Sequence, residues 1–139
     1  FKLVWRQPVW ISDLRLGGAP ERRTELEGTL DPVTPTLLAV MEQEPGKMEV
    51  AGPAEARSGE TVVLKIKQPG SDRLFSVEVK GPDGLLRPYY GKHLWGAEGN
   101  TDFVLPLAYS DLAGDWMIEV KEFATSVSAR ATLKVMPAK

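Results

Sequence analysis

The sequence has 139 residues, of which 42% are hydrophobic and 26% charged, and its net charge at neutral pH is −2. This composition is typical of a folded globular domain and argues against intrinsic disorder. The chain lacks the basic clusters of nucleic-acid-binding proteins, and no apolar run approaches the roughly 20 residues of a membrane-spanning helix. We therefore predict neither nucleic-acid binding nor membrane insertion.

Cysteine is absent from the chain. The sequence therefore provides no disulfide, no thiolate metal site and no cysteine nucleophile. It begins at Phe1 without an initiator methionine or a signal sequence, which we interpret as a segment of a longer polypeptide. We expect that polypeptide to be extracellular or associated with the cell envelope.

Residues 1–47 show irregular strand signals. We predict strands and connections in chain order: Lys2–Arg6 and Val9–Leu16 as strands, Glu21–Arg23 as a charged connection, then Thr24–Leu30 and Thr36–Met41 as strands. The segment Glu42–Lys47 (EQEPGK) has the composition of a linker. We place a boundary there. Residues 1–47 form an N-terminal β-strand extension or the end of a preceding sandwich, and residues 48–139 form a second unit.

Residues 48–139 alternate apolar and polar side chains, the pattern of strands with one buried face. This alternation predicts strands at Thr61–Lys67, Phe75–Lys80, Asp115–Lys121 and Ala129–Met136. Turn sequences separate the strands at Pro69–Asp72, Gly81–Gly84, Glu98–Thr101 and Ala113–Gly114. The 11 prolines and 13 glycines make a long helix unfavourable. The predicted fold is all-β, an immunoglobulin-like antiparallel β-sandwich.

Two residues near the end of this unit have expected structural roles. Trp116 leads an alternating apolar set and should lie between the sheets. Asp111 lies in the preceding turn, where its carboxylate should accept hydrogen bonds from nearby backbone N–H groups.

Two stretches carry a family resemblance. The run Leu105–Trp116 (LPLAYSDLAGDW) is similar to "LPLALND-x-x-G-x-W", and Val77–Gly84 (VEVKGPDG) is similar to a "V-x-V-x-x-PDG" hairpin. Both patterns occur in the C-terminal immunoglobulin-like region of large bacterial β-galactosidase-like, glycosidase-related multidomain proteins. The segments Asp13–Arg15 and Pro35–Val40 resemble the stretch that joins the preceding sandwich to this one. The resemblance implies an accessory domain, with the catalytic carboxylates in an upstream barrel and none here.

Aromatic side chains cluster in Leu85–Trp95. If this segment is one extended stretch, Tyr89, His93 and Trp95 share one face and Tyr90 and Leu94 the other. Exposed aromatic rings could stack on sugar rings, which makes the first three residues a candidate glycan-binding platform. The alternative interpretation places them at the sandwich rim or against a neighbouring domain.

Metal and catalytic interpretations find less in the sequence. His93 is the single histidine. The sequence contains no Gly-x-Ser-x-Gly motif whose serine nucleophile it could activate, and no second zinc ligand at a suitable spacing. Glu98, Asn100 and Asp102 alternate oxygen donors across a turn and form a calcium candidate, although calcium takes about six to eight oxygens. Backbone preferences of turns explain the same residues without a metal. We expect no cofactor and no enzyme activity in this segment.

The main functional hypothesis is a non-catalytic structural module of a larger glycosidase-like protein, with neighbouring domains of the same polypeptide as its partners. One alternative is a glycan-binding module that takes polysaccharide on the aromatic side chains. A second alternative is an adhesin-like protein-interaction domain.

Overall fold

The computed structural model describes residues 1–139 and contains eleven strands and one short 3-10 helix. The elements are β1 (Lys2–Asp13), β2 (Glu21–Glu27), β3 (Leu38–Met41), β4 (Glu49–Ala51), β5 (Glu55–Arg57), β6 (Thr61–Lys67), β7 (Arg73–Lys80), the 3-10 helix (Pro88–Tyr90), β8 (Lys92–Gly96), β9 (Asn100–Pro106), β10 (Gly114–Glu122) and β11 (Ser128–Met136). No helix is long and apolar enough to cross a lipid bilayer.

The strands form three sheets. An N-terminal sheet has the order β2-β1-β3, a three-stranded sheet has the order β4-β6-β9, and a five-stranded sheet has the order β5-β11-β10-β7-β8. The last two sheets form the sandwich. The chain crosses between its two sheets from β6 to β7, from β8 to β9 and from β9 to β10, while β7–β8 and β10–β11 are hairpins within the five-stranded sheet, which is the connectivity of the immunoglobulin-like fold. The predicted fold class is therefore confirmed.

The sandwich core comes from the inward-facing positions of both sheets. Along β6 and β7 every second side chain is buried, as the two-residue period of a strand requires. The predicted core Trp116 is completely buried, and its indole Nε1 donates a 2.8 Å hydrogen bond to the Leu112 carbonyl. The largest fully buried side chains are Phe75, Phe103, Trp116, Ile66, Leu105, Ile118 and Leu133.

Strand β5 is paired differently from the rest of the sandwich. It lies parallel to β11, with Glu55 opposite Lys134 and Arg57 opposite Met136, whereas all other strand pairs are antiparallel. The preceding strand, β4, pairs with β6 in the opposite sheet. The chain therefore crosses from one sheet to the other between residues 51 and 55.

The N-terminal region differs from its prediction in two ways. The segments predicted as two strands form the single strand β1 up to Asp13, with residues 14–16 in a turn, because a bulge between Val4 and Val9 accommodates Pro8, which has no N–H for a ladder. The residues predicted as a connection, Glu21–Arg23, lie within β2, an edge strand. Charged side chains are common on edge strands because they discourage pairing with other chains.

Candidate functional site

Strand β8 forms one edge of the five-stranded sheet and directs two aromatic side chains to solvent. Leu94 faces inward beside Phe75, so its neighbours His93 and Trp95 face outward. Trp95 is 64% exposed, and its cross-strand partner on β7 is the exposed Leu74. The alternation of β8 thus places an uncovered indole on the outer surface of the sandwich.

A second aromatic ring lies beside His93. The ring centroids of His93 and Phe123 are 5.4 Å apart with an interplanar angle of 78°, an edge-to-face contact. Phe123 is 45% exposed, and its N–H donates to the carbonyl of Leu74. We call Leu74, His93, Trp95 and Phe123 the aromatic face.

A polar depression of about 540 Å³ adjoins the aromatic face, and His93 belongs to both features. The residues that line it include Ser76, Glu78, Leu86, Arg87 and Pro88. Ser76 lies directly opposite His93 in the β7–β8 ladder. The depression therefore provides a hydroxyl and a carboxylate next to exposed aromatic rings.

The wall of this depression is held by a turn. Arg87 Nη2 donates a 2.7 Å hydrogen bond to Asp83 Oδ2, and Arg87 Nη1 donates to the Leu85 carbonyl. The hydrogen bond from Arg87, with a smaller contribution from the Leu85 N–H, lowers the pKa of the Asp83 carboxyl. The Arg87 guanidinium therefore already has hydrogen-bond partners, and the Lys92 ammonium donates to the Val104 carbonyl on β9, so Glu78 carries the charge that faces the depression.

Tyr89 does not belong to the same face. The expectation of one extended stretch at Leu85–Trp95 is wrong, because Pro88–Tyr90 forms a 3-10 helix and only Lys92–Gly96 is strand. Proline fixes φ near the helical value at the first position, which favours this turn. Tyr89 is exposed but its ring packs on Tyr90 at 4.6 Å, before β8 begins.

Tyr90 is the buried member of that pair and closes one end of the sandwich. Its hydroxyl donates a 2.5 Å hydrogen bond to Asp111 Oδ2. The Ala108 N–H donates both to the Tyr90 hydroxyl oxygen and to Asp111 Oδ2. Burial, with the Asp111 hydrogen bond second, raises the pKa of Tyr90 to about 12. The predicted bond from backbone N–H to Asp111 is present. Sequence analysis did not identify Tyr90, 21 residues earlier in the chain, as the partner of Asp111.

The calcium candidates lie near lysines. Asp102 and Asn100 on β9 lie directly opposite Lys65 and Lys67 of β6, while the Asn100 amide donates to the Glu98 carbonyl. Positive side chains beside two of the three ligands oppose cation binding. The chain contains no group of three or more His, Cys, Asp or Glu side chains arranged to hold a metal ion. The geometry gives the calcium prediction no support.

A buried polar cluster joins the N-terminal region to the sandwich, and sequence analysis missed it. Arg73 Nη1 lies 4.0 Å from Glu122 Oε2, with both side chains at most 3% exposed. Arg73 also donates to the sulfur of Met41 at the end of β3, and Gln68 Nε2 donates to the Gly46 carbonyl. Glu122 accepts further bonds from the N–H and hydroxyl of Thr125. Charged residues at strand ends are normally exposed, so their sequence pattern did not indicate burial.

Comparisons with known proteins identify no family. No protein-family model and no curated protein matches the chain. Among solved structures, a superoxide reductase (neelaredoxin) from Ignicoccus hospitalis is 15% identical with a TM-score of 0.46, and the match covers 66% of this chain and 82% of that one. The PKD domain of an M14-like peptidase from a Thermoplasmatales archaeon is 16% identical with a TM-score of 0.42, covering 68% and 96% of the two chains. The class of this protein, an immunoglobulin-like β-sandwich preceded by a small sheet, follows from the strand order described above.

Proposed function

We propose that this chain is a non-catalytic structural module that holds a neighbouring β-domain in a fixed position within a larger, glycosidase-like polypeptide. The observation that carries the proposal is the uncovered state of the N-terminal sheet. In β1–β3 the buried side chains are Val9, Ile11, Ser12 and Met41, and none of them is fully enclosed. A three-stranded sheet normally needs one covered apolar face to be stable.

The apolar side chains around this sheet remain in solvent. Val4 is 69% exposed on β1, and Leu16, Leu30 and Val33 in the connecting loops are 86%, 66% and 87% exposed. A depression of about 460 Å³ lies against the sheet between Phe1, Ile11, Leu26 and Leu38. Exposed apolar surface is typical of regions that contact another protein or domain, and it supports the proposal.

The buried cluster at the junction supports a positional role. Arg73 of the sandwich contacts Met41 of β3, and Gln68 contacts Gly46 in the connecting segment. These buried hydrogen bonds have directional geometry, so they favour one orientation of the N-terminal sheet on the sandwich. A neighbouring domain packed on that sheet would then be held in a fixed orientation relative to the sandwich.

Hydrogen exchange tests the proposal. The segment 1–139 alone and the natural polypeptide that contains it would be labelled in parallel, and peptides from β1 and β2 compared. We expect at least tenfold slower exchange of these peptides in the natural polypeptide, because the neighbouring domain covers the sheet. Peptides from β6 and β10 serve as the internal control and should exchange equally in both.

Equal exchange of β1 and β2 in the two samples would contradict the structural role. The glycosidase context has its own test, hydrolysis of chromogenic β-galactosides and other aryl glycosides by the natural polypeptide. Hydrolysis by the segment 1–139 itself would contradict the non-catalytic assignment.

A further inference from the structure

We propose that the aromatic face and the adjoining depression form a binding site for a pyranose-containing oligosaccharide. Nothing in the structural role proposed above requires this site, which lies on the five-stranded sheet rather than on the N-terminal sheet. The proposal depends on Trp95 and His93 and on the polar groups that line the depression beside them.

Exposure of Trp95 is the first step of the argument. Tryptophan is usually among the most buried residues on average, because exposing its ring forfeits a large hydrophobic contribution. Here the indole is 64% exposed on an edge strand, with Leu74 beside it on β7 and Phe123 in the turn after β10. An exposed aromatic ring can stack against the C–H face of a sugar ring.

Polar groups within reach of the ring are the second step. Sugar hydroxyls both donate and accept hydrogen bonds, so a sugar site needs both kinds of partner. The depression offers the Glu78 carboxylate as an acceptor and the Ser76 hydroxyl as a donor or an acceptor. Trp95 and His93 are two residues apart on one strand face, about 7 Å. One sugar ring of an oligosaccharide can therefore stack on Trp95 while the adjacent sugar ring reaches the depression beside His93.

The small extent of the apolar surface favours a sugar over a protein partner. A stable protein interface buries about 800 Å² on each partner and has few charges at its centre. The aromatic face has four side chains, and the next positions on the same sheet face are the charged Lys121, Glu119 and Arg130. Glu119 and Arg130 already form an ion pair at 3.4 Å. A ligand the size of one or two sugar rings fits within this charged boundary.

The test begins with a printed array of neutral and acidic plant, algal, bacterial and host oligosaccharides, probed with the full chain. The strongest binder is then titrated by calorimetry. We expect Trp95→Ala to weaken binding at least tenfold, which corresponds to about 1.4 kcal/mol. Trp95→Phe, which keeps a stacking ring, should restore most of the affinity. Tyr89→Ala is the matched control, an equally exposed aromatic outside the aromatic face, and should bind as the unmodified chain does.

Three outcomes would overturn the proposal: an array without a binder, binding that Trp95→Ala leaves unchanged, or a loss that Tyr89→Ala reproduces. If an empty array is accompanied by self-association that Trp95→Ala abolishes, the aromatic face is a protein contact instead. Near-ultraviolet circular dichroism checks that each variant is folded. Should Trp95→Ala misfold, Glu78→Gln and Ser76→Ala test the polar half of the site, and unchanged affinity in both would also overturn the proposal.

Discussion

The guanidinium of Arg73 lies 4.0 Å from the carboxylate of Glu122 with both side chains almost completely enclosed by protein. Arg73 begins β7 and Glu122 ends β10, and the Arg73 side chain also contacts Met41 of the N-terminal sheet. Charges removed from water in this way are tolerated only when their partners remain in place. The pair is therefore the point at which the sandwich and the N-terminal sheet depend on each other.

Removal of Glu122 tests this dependence. Glu122→Ala leaves the Arg73 charge buried without its counterion, and we expect the free energy of unfolding to fall by about 3–5 kcal/mol in urea denaturation. Arg130→Ala removes one partner of the exposed pair with Glu119 and should cost less than about 1 kcal/mol. Equal costs for the two substitutions would show that the buried pair does not stabilise the fold.

Tyr90 should make stability sensitive to high pH. Tyr90→Phe removes the hydroxyl that donates to Asp111, and we expect a loss of about 2 kcal/mol at pH 7. The pKa of Tyr90 is raised to about 12 in the folded protein, and an unfolded tyrosine has a pKa of about 10. The contribution of the Tyr90 hydroxyl to the free energy of unfolding is therefore complete below pH 10 and is lost as the pH rises from 10 through 12.

The difference in unfolding free energy between the unmodified chain and Tyr90→Phe, measured from pH 7 to 12, checks this prediction. Tyr109→Phe is the control, because Tyr109 is 81% exposed, and it should match the unmodified chain at each pH. A constant difference across the whole range would contradict the role given to the Tyr90 proton.

Two glycines with similar backbone angles should respond very differently to alanine. Gly99 has φ +80° and a Cβ there would lie 1.8 Å from the Gln68 carbonyl oxygen, whereas Gly84 has φ +75° and open space around it. We expect Gly84→Ala to cost about 1 kcal/mol, the strain of a left-handed alanine. Gly99→Ala adds a backbone clash, so its melting temperature should fall far more or the protein should not fold. Equal melting temperatures for the two variants would contradict the close approach of Gly99 to the Gln68 carbonyl.

The boundary predicted near residue 47 leads to a further test. Residues 48–139 contain the whole hydrophobic core of the sandwich, from Met48 to Val135. We expect this segment to unfold cooperatively on its own, with the native fluorescence of buried Trp116. It should be less stable than the full chain, because Gln68 and Arg73 lose their contacts with Gly46 and Met41. A molten segment without a cooperative transition would show that the boundary is misplaced.

The sequence predicted the sandwich well where strands have one buried and one exposed face. Thr61–Lys67 matches β6 residue for residue, and the other three strands predicted in this unit differ from β7, β10 and β11 by one or two residues at their ends. The three-residue strands β4 and β5 were missed, because so few residues carry no measurable period. Strand β9 was missed as well: the predicted turn at Glu98–Thr101 overlaps its first two residues, and its consecutive apolar residues 103–105 do not alternate with polar ones. Their pairing is determined by contacts with distant strands.

The candidate site was predicted only in part, for a physical reason. His93 and Trp95 do share an exposed face, as expected, but Tyr89 precedes β8 and Phe123 comes from the turn after β10. Alternation along one segment cannot reveal a neighbour 30 residues away, since that contact depends on strand order. The buried pair of Arg73 and Glu122 was not predicted either, because this contact also depends on the strand order.

The parallel pairing of β5 with β11 has a mechanical consequence. A pull on the chain before β5 and another after β11 would act along both strands in opposite directions, loading their hydrogen bonds in shear. Bonds loaded in shear must break together rather than one after another. A module built this way would resist stretching between the start of β5 and the end of β11, more than a pair of strands that separates one hydrogen bond at a time.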